Sequence, residues 1–210
     1  MHPISLVGTY EDAMGREEVL WTVLSSTLPG RDGGNDVTGV VRGVRVSGPY
    51  FDALEPESPT TLLSLNGAGE LDLCVITGGV SAKITDAVAG QLELRLELSG
   101  GPVPVTTATL VVGDEVYVHT RAEDLEVVLG KLAAAALPHQ WECCLTCGLS
   151  DYWPAGQNLM GMRCHRDARE QYLSVQSKWD YFAVPVTEEV PEFYVCEQFE
   201  PREPGTGYRG

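Results

Sequence analysis

The sequence predicts an α+β protein dominated by antiparallel strands, and three stretches carry that prediction. Leu92, Leu94, Leu96 and Leu98 alternate with Glu93, Arg95 and Glu97, the period of a strand with one buried and one wet face. Leu110-Val111-Val112 and Glu115-Val116-Tyr117-Val118 flank Gly113-Asp114, a two-residue hairpin signal because glycine takes positive φ without penalty. Leu125, Val128, Leu129 and Leu132 then recur at helical spacing, followed by four alanines and Pro138. Acidic residues in the first turns of that segment suit the positive end of a helix dipole.

Taken in order, residues 1–120 read as short strands between turns. Val19 to Leu24 is a strand candidate, and the Gly- and Asp-rich stretch 30–36 is a loop. Val37 to Val46 is extended, and Ser47-Gly48-Pro49 ends it. Thr61–Leu65 and Leu71–Ile76 are further apolar runs. This pattern suggests a mainly antiparallel, β-sandwich-like N-terminal region over residues 1–138, covered by one amphipathic helix at 122–136. Residues 139–210 read as a cysteine-rich, helix-containing module packed on it. In that module His139–Cys144 is expected as a strand and 151–162 as a loop. Arg166–Phe182 is expected as a helix with Ala168, Tyr172, Val175 and Trp179 on one face, and Phe193–Cys196 as a last strand.

Composition bounds the function. Of 210 residues 43% are hydrophobic, enough for a real core, and length alone allows one to two domains. The net charge is −16, divided as −11 over residues 1–138 and −5 over 139–210. No basic cluster appears, so nucleic acid and anionic membranes are not expected partners, whereas a protein with a basic surface is permitted. The N-terminus shows no basic region followed by an apolar stretch, and a cytoplasmic protein is the expectation. Walker, Gly-x-Gly-x-x-Gly, Gly-x-Ser-x-Gly and His-Glu-x-x-His motifs are all missing.

The chemistry-bearing residues are the cysteines, five of whose six lie after residue 142. Cys144 and Cys147 have the Cys-x2-Cys spacing of a zinc knuckle, with Gly148 placed to let the backbone turn and aim N–H groups at sulfur. Sixteen residues separate Cys147 from Cys164, and Cys196 lies near the end. We expect a structural Zn²⁺ on Cys144, Cys147, Cys164 and Cys196, with His165 or Cys143 as alternative fourth ligands. Adjacent ligands such as Cys164 and His165 are awkward because neighbouring side chains diverge. Competing readings are buried thiols acting as small apolar residues, or a disulfide or redox pair. Cys74, inside an apolar run, reads as core. Expected function is a non-enzymatic binding or interaction protein; the alternative is an enzyme with a cysteine-centred or pocket-centred site. No catalytic residue is assigned.

The segment Cys144-x2-Cys147-x2-Ser150-Asp151-Tyr152-x-Pro154-x-Gly156, with Cys164, resembles an actinobacterial family of uncharacterised proteins, a domain of unknown function. Val190-Pro191-Glu192-x3-Cys196 and the ending Pro204-Gly205-Thr206-Gly207-Tyr208-Arg209-Gly210 resemble the same family. The likeness lies mainly in residues 142–210. It implies that Cys144, Cys147, Cys164 and Cys196 belong together, and it implies no activity.

Overall fold

The computed structural model describes residues 3–24, 36–85, 89–101, 104–121, 125–136, 139–153 and 161–208. Nine strands form one antiparallel sheet: β1 (Ile4–Asp12), β2 (Gly15–Leu24), β3 (Asp36–Val41), β4 (Val44–Gly48), β5 (Glu55–Pro56), β6 (Cys74–Lys83), β7 (Ala89–Leu98), β8 (Val105–Val112) and β9 (Glu115–Arg121). Their order is β5-β4-β3-β2-β1-β6-β7-β8-β9. The strands are therefore hydrogen-bonded into one continuous sheet and are not divided between the two sheets of a sandwich. Two meanders, β1 to β5 and β6 to β9, meet at the one non-local junction, where Thr9 faces Thr77 and Tyr10 faces Ile76.

The leucine alternation holds: Leu92, Leu94, Leu96 and Leu98 of β7 are all buried. The Gly113-Asp114 turn joins β8 to β9, with Gly113 at φ 59°. Helix α1 (Leu125–Ala135) packs on β8 and β9, burying Leu125, Val128, Leu129 and Leu132. Residues 25–35 and 122–124, where most of the Gly-rich loop and the start of the helix were expected, lie outside the described residues. The run 37–46 is a hairpin rather than one strand. It turns at Arg42-Gly43 with φ of 49° and 73°, and Arg42 reaches back to Asp12 on β1.

The β1–β6 junction depends on an absent side chain. Gly8 lies on the core face between Leu6 and Tyr10, and a Cβ there would collide with the Thr77 carbonyl oxygen. That oxygen accepts a hydrogen bond from Trp21 Nε1 at 2.9 Å, reaching across β1 from β2. Trp21 is fully buried and meets Phe51 edge-on with ring centroids 5.7 Å apart. Gly8→Ala is expected to destabilise the protein by about 1–3 kcal/mol, because backbone rather than a flexible side chain must give way. A denaturation midpoint unchanged from wild type would refute this account.

A second sheet holds β10 (Ser150–Tyr152), β11 (Met162–Cys164) and β12 (Glu188–Val190), in that order and antiparallel. The C-terminal segment corrects three expectations. His139–Cys144 is not a strand; only Trp141 bridges, to Ile84. Phe193–Cys196 is not a strand either, and β12 lies upstream of it. The single helix over 166–182 is replaced by a 3₁₀ turn (Arg166–Ala168), α2 (Arg169–Leu173) and α3 (Lys178–Phe182). The break falls at Ser177, whose hydroxyl caps α3 by accepting from Asp180 N–H. Trp179 is thereby turned out to 79% exposure, while Tyr172 and Val175 stay buried.

The main hydrophobic cluster runs without interruption from Leu6 through the sheet and α1 to Trp141, Cys143, Cys144, Tyr152, Met162, Val190 and Phe193. A smaller cluster holds Cys147, Leu149, Tyr172, Val175, Tyr181 and Val184. No helix among the described residues is long and apolar enough to cross a membrane.

Candidate metal centre

The knuckle is held in place by main-chain bonds from three directions. Glu142 N–H donates to Lys83 O (2.7 Å) at the end of β6, and Lys83 Nζ pairs with the Glu142 carboxylate at 2.6 Å. Cys144 N–H donates to Tyr194 O (3.0 Å) and Leu145 N–H to Glu192 O (2.9 Å). Gly148 N–H donates to Glu200 O (2.7 Å), and a Cβ at Gly148 would press on Pro201 O and Arg202 Cα at 3.1 and 3.2 Å. Gly148 thus serves close packing of the C-terminal chain.

The N–H expected to face sulfur comes one residue later. Leu149 N–H lies 3.4 Å from Cys147 Sγ. Cys196 repeats the geometry, with Gln198 N–H 3.3 Å from its Sγ and Phe199 N–H closing a turn onto Cys196 O. Two cysteines far apart in sequence therefore share one contact, an N–H two residues on aimed at sulfur. Cys164 ends β11 opposite Ser150, and Arg166 Nη1 lies 3.5 Å from its Sγ while also pairing with Glu188.

The structure brings the predicted residues into one neighbourhood. Burial raises the Cys144 thiol well above its ordinary pKa, and Cys164, Cys147, Cys143 and Cys196 push it further in the same direction. Cys164 is raised mainly by burial, with Arg166 opposing and Cys147 and Cys196 adding. All six cysteines are free thiols, five of them buried and Cys196 half-buried. Among the described residues, no three His, Cys, Asp or Glu side chains converge as a metal-ligating group.

The two alternative ligands are engaged elsewhere. Cys143 turns to Thr146, with Sγ 3.8 Å from Oγ1, and its thiol is pushed up to about 12 by burial. His165 is fully buried and stacked on Tyr172 at 4.8 Å. Its Nδ1–H donates to Pro185 O (2.9 Å), leaving Nε2 to accept from Tyr181 OH (3.0 Å). Burial lowers the His165 pKa and keeps the ring neutral. Cys74 is core, as its run of apolar neighbours suggested.

Beside the cysteines lies a buried polar network that spacing did not reveal. Tyr172 OH donates to Asp151 Oδ2 (3.0 Å), and Tyr152 OH donates to Glu192 Oε1 (3.1 Å). Arg202 Nη2 donates to Cys147 O and Ser150 O at 2.9 and 2.5 Å. Gly207, at φ 67°, passes so close to the Tyr172 ring that a Cβ would meet it at 2.6 Å. The polar tail is therefore packed onto this network. An acidic hollow elsewhere, of about 240 Å³, is lined by Asp52, Asn66, Glu70 and Asp72. Its carboxylates serve the fold: Asp72 accepts from Leu73 and Gly100 N–H, and Glu70 accepts from Asn66 Nδ2.

A family of unknown function (DUF6304) matches residues 5–150. The chain belongs to this family. The match covers the nine-stranded sheet, α1 and the Cys-x2-Cys knuckle, and it overlaps the likeness read from residues 142–210 only over 142–150. Membership is thus shown over the sheet region, and most of the motifs read from residues 142–210 lie outside the match. No curated protein and no solved structure matches the chain.

Proposed function

We propose that this DUF6304 member is a non-enzymatic binding protein whose C-terminal segment is fastened by a structural Zn²⁺ on Cys144, Cys147, Cys164 and Cys196. The observation that supports this reading is the contact repeated at Cys147 and Cys196, each sulfur accepting an N–H from two residues on, with Cys144 and Cys164 acting electrostatically on the same group. Four thiolates brought together would repel one another, and a divalent cation would reverse that repulsion. Closing the site requires the sulfurs to rotate to about 2.3 Å from a common ion. Burial that raises the Cys144 and Cys164 thiols weighs against a cysteine nucleophile, which needs a lowered pKa. The net charge of −16 makes a basic protein surface the fitting partner and nucleic acid the unfitting one.

Elemental analysis of protein purified without chelator tests the metal. One zinc per chain is the expected result. Protein that is folded and free of metal would overturn the reading.

A further inference from the structure

The two ends of the nine-stranded sheet differ. β5 is a two-residue edge that ends in Pro56, a residue unable to extend a ladder. β9 is seven residues long, with no proline and no lysine, and no described residue pairs with its outer side. The two-residue turn makes Val112 and Glu115 the closing hydrogen-bonded pair with β8. By alternation the main-chain groups of Tyr117, His119 and Arg121 also face β8, and those of Val116, Val118 and Thr120 face outward. Val116 and Val118 are 60% and 58% exposed. Both are β-branched residues suited to a ladder.

The strand is also complementary to itself. Rotated about a two-fold axis through Val118, Glu115-Val116-Tyr117-Val118-His119-Thr120-Arg121 sets Glu115 opposite Arg121 of a second copy at both ends. Val116 then faces Thr120, Tyr117 faces His119, and Val118 faces itself. In this register the outward groups are the ones that pair: Val118 with Val118, and Val116 with Thr120 twice over. Six main-chain hydrogen bonds form without disturbing β8. Arg121 has no ion-pair partner among the described residues, while Glu115 already accepts from His139 Nε2 at 2.5 Å and Tyr117 OH at 3.0 Å.

We propose that β9 is a homodimerisation strand, pairing antiparallel with β9 of a second copy about Val118 and continuing the sheet across the interface. One strand pair buries little surface, and two chains of −16 repel, so the dimer is weak and concentration-dependent.

Sedimentation equilibrium on the full chain at about 0.15 M salt, where screening acts beyond about 8 Å, is the test. The wild type is expected to pass reversibly from monomer to dimer below about 1 mM. Arg121→Glu puts Glu opposite Glu, and Glu115→Arg puts Arg opposite Arg. Each variant alone is expected to dimerise at least about tenfold more weakly. Mixing the two variants restores both opposite-charge pairs, and a heterodimer of near wild-type strength is expected. Far-UV circular dichroism melts show whether each variant has kept its fold. A wild type that stays monomeric throughout, a dimer indifferent to both substitutions, or folded variants that fail to associate on mixing would each overturn the proposal.

Discussion

Asp12→Ala is expected to lower the free energy of unfolding by about 3–5 kcal/mol, the usual cost of removing one partner from an enclosed ion pair. The Asp12 side chain is shut off from solvent, and Arg42 grips both its oxygens, Nη1 to Oδ2 at 2.8 Å and Nη2 to Oδ1 at 2.6 Å. Tyr10 OH and Met14 N–H donate to the same carboxylate at 2.9 and 2.8 Å. Without Asp12, the Arg42 guanidinium keeps the carbonyls of Leu62 and Gly15 and the Tyr10 ring but no carboxylate among these contacts, and its turn holds a non-glycine residue at φ 49° with less support. The carboxylate joins β1, the β3–β4 turn and the 62–64 segment, so the loss should appear in global unfolding by denaturant with an unchanged slope.

The same group sets a pH dependence. Hydrogen bonds from the Arg42 guanidinium hold the Asp12 carboxyl well below the usual carboxylate range. The unfolded chain, with its ordinary value of 3.8, then binds a proton that the folded chain refuses. This contribution is fully present above about pH 4 and is lost as pH falls further. Asp12→Ala should therefore flatten the acid limb of the stability curve relative to wild type. A variant that loses less than about 1 kcal/mol and keeps the same acid limb would show the pair to be incidental.

Cys196→Ser is expected to abolish stoichiometric zinc and to loosen residues 140–200 while the nine-stranded sheet stays folded. Structural zinc supplies roughly 10–16 kcal/mol of apparent binding free energy, and loss of one thiolate removes much of it. The loops closed by the site, sixteen residues between Cys147 and Cys164 and thirty-one between Cys164 and Cys196, would lose their tie. Hydrogen exchange by segment reads this directly: protection should fall by orders of magnitude at Leu145, Gly148 and His165, and hold in β6 and β7. Cys143→Ala, which removes a thiol turned toward Thr146, should keep its zinc. If Cys143→Ala loses the metal and Cys196→Ser retains it, the fourth ligand is misassigned.

The parts of the fold that could be read in advance are those whose partners lie close in sequence. The leucines of 92–98 announce their face because alternation is a property of one strand. Gly113-Asp114 announces its hairpin because the turn and both strands fit within seventeen residues. The amphipathic pattern from Leu125 needed no knowledge of which strands it covers. The Arg166–Phe182 segment misled for the converse reason. Its apolar spacing continues past Val175, but the Ser177 cap starts a new helix and rotates Trp179 into solvent. Periodicity does not register a local cap that outcompetes propagation.

The cysteine spacing likewise named a group of residues without giving their geometry. Nothing in Cys144-x2-Cys147 foretells that Gly148 packs against the returning chain, or that the donor to sulfur is Leu149. His165 carried no sign that both its nitrogens would be taken by Pro185 and Tyr181, since those partners lie twenty and sixteen residues away.

By itself, then, the sequence determined the strand-rich class, the hairpin and the covering helix. These follow from short-range alternation, turn chemistry and spacing. The tertiary structure decided that all nine strands share one sheet and that β1 pairs with β6 through a bare Gly8. It also decided that Asp12 meets Arg42, and that the tail closes over Tyr172. Each of those is a choice of distant partner. Such choices are made by shape, by the space a missing Cβ leaves and by the need to satisfy buried charge, none of which has a period along the chain.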